Sequence, residues 1–198
     1  MSICMNYATV FTPEEILTDS AVIISDDGHI EYVGPMESAP HTEDLTLDLR
    51  GRMVIPGLID VHVHGGFGVG FGNPDTLESD LATYSQRVVE NGVTGFLTSI
   101  ATPDAPSLIN VITAYAQLFK KDFGGAVPLG IHLEGPFLSR EKKGAFHPEW
   151  LRDPDLEQAR AFLEAGDGWI RQMTLAPELP HADEVAALFR QQGVVVDA

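Results

Sequence analysis

From Pro56 onward, short β-type apolar runs alternate with segments of helical period, and this alternation constrains the fold more than any other feature. Strands are expected at 58–64, 95–100, 129–134, 170–175 and 194–196. Helices are expected between them, at 76–91, 106–121, within 149–165 and at 182–192. Gly92, Gly166 and Gly193 sit just past three of the helix ends, and Asp104 is a candidate cap. A strand–helix alternation of this kind builds parallel strands joined by right-handed crossovers. Five such steps fit an open parallel sheet or part of an eight-stranded barrel. In either arrangement, chemistry gathers at the carboxyl ends of the strands. Residues 194–196 would leave an exposed parallel edge, which points to a longer protein or a covering partner.

Residues 1–56 follow a different pattern. The runs Ala21-Val22-Ile23-Ile24 and Ile30-Glu31-Tyr32-Val33 flank Asp26-Asp27-Gly28, a hairpin signal. Leu45-Thr46-Leu47-Asp48-Leu49 alternates as a half-buried strand does. The expected organisation is a small all-β unit at 1–56, followed by an α/β unit at 57–198.

Composition excludes several classes of partner. Acidic residues outnumber basic ones 29 to 12, so nucleic acid and anionic membrane surfaces are poor partners. No apolar run approaches the roughly 18 residues of a membrane helix. The start, MSICMNYATV, has neither the basic region nor the apolar core of a signal peptide. Cys4 is the single cysteine, which rules out an internal disulfide and fits a cytoplasmic location.

Two strand ends carry residues suited to chemistry. In PGLIDVHVHGG, side chains alternate, so Asp60, His62 and His64 share one face while Ile59, Val61 and Val63 share the other. Two imidazoles one pleat apart can chelate a divalent cation, and the glycines that follow leave room beside it. Two histidines hydrogen-bonded at a strand end are the plainer alternative. In Ile131-His132-Leu133-Glu134-Gly135-Pro136-Phe137, a buried strand ends on a carboxylate that needs a partner. That partner is either a cation or a salt bridge. His132 lies one pleat deeper on the same face, as a supporting or core histidine.

PGLIDVHVHGG resembles the first-strand motif of the amidohydrolase superfamily. GIHLEGPFLSREKKGA and MTLAPE resemble the third- and fourth-strand regions of the N-acetylglucosamine-6-phosphate deacetylases within it, and the resemblance runs along the whole chain. It implies a partial (β/α)8 TIM barrel of about five βα steps at 57–198, preceded by the amino-terminal part of a small β-sandwich domain at 1–56. It implies hydrolysis of the acetamide of N-acetylglucosamine 6-phosphate to glucosamine 6-phosphate and acetate. Glu134 matches the family's metal-binding glutamate. His62 and His64 match histidines that hold a second metal in some members, so one or two ions of zinc, iron or manganese are implied.

Ala145 and Phe146 match the loop pair that contacts substrate. Many members place histidine where Phe146 stands, so His147 is a further candidate for that contact. Phe146 could stack on a sugar or form a pocket wall. Lys142 and Lys143 could meet a phosphate or form a solvated basic pair. The family's acid/base aspartate and two further metal-binding histidines would lie beyond Ala198, so this chain alone is expected to be an inactive amino-terminal half. The full-length enzyme would be a homodimer. Two other readings stay open: a cyclic amidase or deaminase of the same superfamily, and a non-catalytic binding module.

Overall fold

The computed structural model describes residues 2–41 and 45–198, in two units spanning Met1–Pro56 and Gly57–Ala198. In the first, strands β1 (Ile3–Phe11), β2 (Ile16–Ile24), β3 (Ile30–Pro35), β4 (Leu45–Asp48) and β5 (Met53–Val54) form one sheet. Its order is β3-β2-β1-β4, with β5 also on β1. The β2–β3 pair is antiparallel around Asp26-Asp27-Gly28, as the turn signal requires. Ala8, Val10 and Val22 make a small core on this sheet. The described residues of this unit supply a single layer rather than the two of a sandwich.

The second unit begins with β6 (Leu58–Val63), followed by a two-stranded ribbon of β7 (Gly65–Gly66) and β8 (Val69–Gly70). Then come α1 (Leu77–Val88), β9 (Val93–Ile100), α2 (Ala105–Leu118), β10 (Val127–Glu134), α3 (Leu156–Gly166), β11 (Ile170–Thr174), α4 (Ala182–Gln191) and β12 (Val195–Asp197). The main sheet is parallel in the order β12-β11-β10-β9-β6. Each strand therefore lies beside its predecessor, and the order never reverses as it does in a doubly wound sheet. With one crossover hand, sequential order puts every helix on the same face and curls the sheet. The result is a curled parallel sheet compatible with part of a TIM barrel.

Two faces of the sheet carry different chemistry. Phe96, Ile100, Ile131, Leu133 and Met173 pack outward against Leu81, Ile112, Tyr115, Phe162 and Phe189 in one core. The opposite, concave face holds polar side chains near the strand ends: Ser99, His132, Glu134 and Thr174. Alternation along β10 thus separates the residue that stabilises the fold, Leu133, from those available for chemistry on either side of it. The two edges are β6 and β12, and Ile59 and Val195 are respectively 60% and 64% exposed there. Among the described residues, no helix is long and apolar enough to cross a membrane.

Helix ends follow local chemistry. Asp104 and Asp155 cap α2 and α3 by accepting from Ser107 N and Gln158 N. Gly166 was expected beyond the third helix, but it is the last residue of α3. A Cβ at Gly166 would lie 2.7 Å from the Ile170 side chain, so the position needs a small residue for packing. Asp167 instead takes the left-handed cap conformation, φ 45°.

Leu133 is fully buried. Leu133→Ala is expected to cost about 2–5 kcal/mol of unfolding free energy, the range for cavity-forming core truncations. Urea denaturation measures it, and a loss below about 1 kcal/mol would contradict the packing described for β10.

Candidate metal centre

Two strands bring the candidate ligands together. His62 and His64 rise from the end of edge strand β6, and Glu134 ends the central strand β10. Glu134 Oε2 lies 2.7 Å from His64 Nε2 and 3.3 Å from His62 Nε2. The three donor atoms all fall within 4.8 Å of one another. Ligands bound at about 2.0–2.2 Å around a tetrahedral ion stand roughly 3.4 Å apart. The clustered nitrogen and oxygen donors could therefore hold a divalent metal ion, with a small outward shift of the hydrogen-bonded His64–Glu134 pair.

Backbone geometry explains how the chain leaves the site on both sides. Gly65 has φ 128°, and a Cβ there would come within 2.2 Å of Val69 O in the β7–β8 ribbon. Gly135 has φ 80°, so the chain turns off β10 directly after the carboxylate. Glycine at each position lets the strand stop with its functional side chain at the rim.

The ionisation of the cluster follows from its contacts. Hydrogen bonding to His64 holds the Glu134 carboxyl below the usual range, against the opposing effect of burial. The same bond raises the His64 imidazole above its ordinary value. Below them, His132 is fully buried, and burial pushes its pKa down to about 4. It is therefore neutral near pH 7. Its Nδ1 stands 2.8 Å from Ser99 Oγ and its Nε2 2.8 Å from Thr174 Oγ1. The His62 ring packs on it edge to face, with centroids 4.6 Å apart.

A cavity of about 840 Å³ opens over the cluster, lined by His62, His64 and Glu134 and walled by Leu138, Phe146 and Trp150. Ala145 and Phe146 both line it. His147 is not among the lining residues. It is exposed, its ring faces Trp150, and its Nδ1 lies 3.5 Å from a Glu149 oxygen. Lys142 and Lys143 both reach the cavity, but Lys143 Nζ already donates to Phe146 O at 2.9 Å. The sequence reading missed Arg140, which clamps this loop by donating to Pro148 O and Leu151 O. It also missed Ser99 and Thr174. Hydroxyls near the ends of otherwise apolar strands were the available signal for those two.

Several known proteins resemble this chain. The model of the amidohydrolase family matches residues 53–190. The chain is 30% identical over 204 residues to N-acetylglucosamine-6-phosphate deacetylase of Bacillus subtilis, covering 98% of this chain and 49% of that one. It is 39% identical over 155 residues to the same enzyme of Bos taurus, covering 75% and 37%. A solved structure from Mycobacterium smegmatis is a deacetylase mutant in complex with N-acetyl-D-glucosamine-6-phosphate. It superposes with TM-score 0.82 at 31% identity, over 99% of this chain and 48% of that one. The chain spans about half the length, or less, of these relatives.

The contacts fix a pH dependence for the metal-free protein. The raised His64 contributes stability that is complete below pH 6.5 and lost as pH rises through its shifted value. The lowered Glu134 contributes stability that is complete above pH 4.5 and lost as pH falls through its own. The pair is therefore fully formed between those limits. Proton NMR of the imidazole resonances in EDTA should give His64 a midpoint above the ordinary histidine value, and Glu134→Gln should lower it. An unchanged midpoint in that variant would rule out the pairing.

Proposed function

The chain belongs to the amidohydrolase family, and from that premise we propose that the protein carrying it hydrolyses the acetamide of N-acetylglucosamine 6-phosphate, releasing acetate and glucosamine 6-phosphate. One observation carries the reading: two histidines and a glutamate from separate parallel strands converge beneath an open cavity, at the end of the sheet where barrel enzymes work. The named relatives support the choice of reaction and substrate within that frame.

His62, His64 and Glu134 would hold the ion, zinc, iron or manganese, as one of one or two metals in the complete site. A divalent cation bound there supplies Lewis acidity, polarising an amide carbonyl and acidifying water. Glu134 contributes negative charge and sits on the central strand. The imidazoles must be neutral to donate, so binding displaces the proton that Glu134 stabilises on His64. Ala145 and Phe146 would form the sugar-contacting wall, with Phe146 offering an apolar face. His147 could join them only if the 144–150 loop turned its ring away from Trp150. Lys142, at the cavity rim, is the nearer of the two lysines to a free cation for the phosphate. The same reading makes residues 1–56 one layer of a β-sandwich. The exposed apolar pair Leu45 and Leu47, on one face of β4, supports this.

The test is acetate release from N-acetylglucosamine 6-phosphate by the protein carrying residues 1–198, before and after metal stripping. Stripping and Glu134→Gln should each reduce turnover by about 10²-fold or more, since metal activation is worth several kcal/mol. Metal content should fall in the variant. Turnover that survives EDTA, or a Glu134→Gln protein with full metal content and rate, would overturn the proposal.

A further inference from the structure

We infer that His132 is a positioning residue, locked by a hydrogen-bond relay across all five strands of the parallel sheet, and that this relay fixes the surface on which His62 rests. The inference depends on the proposal that His62, His64 and Glu134 hold a metal. It adds a function for residues that touch neither metal nor substrate.

The relay begins at β6, where Val63 N donates to Ser99 Oγ on β9 at 2.9 Å. Ser99 pairs with His132 Nδ1 on β10 at 2.8 Å. His132 Nε2 pairs with Thr174 Oγ1 on β11 at 2.8 Å. Thr174 donates to Asp197 Oδ1 on β12 at 2.6 Å, and Gln172 Nε2 holds the other carboxylate oxygen at 2.7 Å.

Donor counting gives the chain one direction. A hydroxyl has a single proton to donate. Thr174 spends its proton on the Asp197 carboxylate, so Thr174 Oγ1 must accept from His132 Nε2–H. His132 Nδ1 is then the bare nitrogen and accepts from Ser99 O–H. Ser99, having given its proton, accepts from the Val63 amide. Every polar atom of the buried imidazole is satisfied in this tautomer, and reversing any bond leaves two donors or two acceptors facing each other.

The consequence falls on His62. Its side chain is 48% exposed, and its ring is placed by His64, Glu134 and His132. The His132 ring below it, 83° away in plane, forms the floor. A ring free to rotate would offer His62 a variable surface. A ring pinned at both nitrogens offers one surface, and holds the His62 donor near Glu134. Groups that orient ligands from behind typically change metal affinity by 10–100-fold when removed.

Cobalt(II) supplies the test, because its visible d–d absorption reports coordination geometry as well as occupancy. The metal-free protein carrying residues 1–198 would be titrated with Co²⁺ as wild type, Thr174→Val, Thr174→Ser and His132→Phe. Wild type and Thr174→Ser are expected to bind with matching spectra, since both keep the hydroxyl. Thr174→Val should bind roughly tenfold or more weakly with shifted bands. His132→Phe keeps the ring but not its nitrogens, and should do the same. If either Thr174→Val or His132→Phe matches wild type in affinity and spectrum, the relay is refuted while the metal centre stands. If wild type itself takes up no Co²⁺, the metal reading fails and takes the relay with it.

Discussion

A carboxylate at the end of a mostly buried strand has to be compensated, and the arrangement of the second unit turns on how that is done. Glu134 lies on the central strand of the five-stranded sheet, with its side chain 20% exposed. Two imidazoles from β6 reach over β9 to meet it. That reach works in only one register. A slip of one residue would present Val61 and Val63 to the carboxylate and turn both histidines away. Burial of Val63 against the main core, on the opposite face from His62 and His64, holds the register. The packing that stabilises the edge strand therefore also aims its ligands.

Much of this was legible in the chain because it rests on short-range periodicity. Alternation placed Asp60, His62 and His64 on one face without any knowledge of neighbours, and the Asp26-Asp27-Gly28 turn fixed a hairpin. What resisted reading was whatever depends on contacts distant in sequence. Ser99 and His132 are 33 residues apart and Thr174 lies 42 beyond His132, so nothing local says that they meet. Gly166 was misread for the same reason. As a helix terminator it is plausible by sequence, yet its constraint is the Ile170 side chain, which fills the space a Cβ would need. His147 shows the limit of motif alignment: one loop tied down by Arg140 and Lys143 decides which of two adjacent side chains faces the cavity.

The edges of the two sheets make a related point. Ile59, Val61 and Val195 are apolar and exposed on β6 and β12. Residues of this kind read as core in a sequence and emerge as surface in the chain described here. A pattern specifies that a side chain suits burial, while the identity of the covering surface lies elsewhere. The concave face differs, because its polar residues satisfy one another. The relay through Ser99, His132, Thr174 and Asp197 lets a curled sheet hold a polar interior without orphaned donors.

Charge poses the sharpest conflict with the proposed substrate, a phosphorylated sugar approaching a chain of formal charge -17. Long-range repulsion would oppose such an encounter in pure water. At physiological ionic strength the Debye length is about 8 Å, so exposed carboxylates farther away than that contribute little at the cavity mouth. The local balance then decides. Lys142 and Lys143 line the cavity, and Lys143 also ties the loop to the Phe146 carbonyl. A cation held by Glu134, His62 and His64 would add to them. Overall acidity and anion binding are compatible because screening confines the contest to the few groups within one cavity radius.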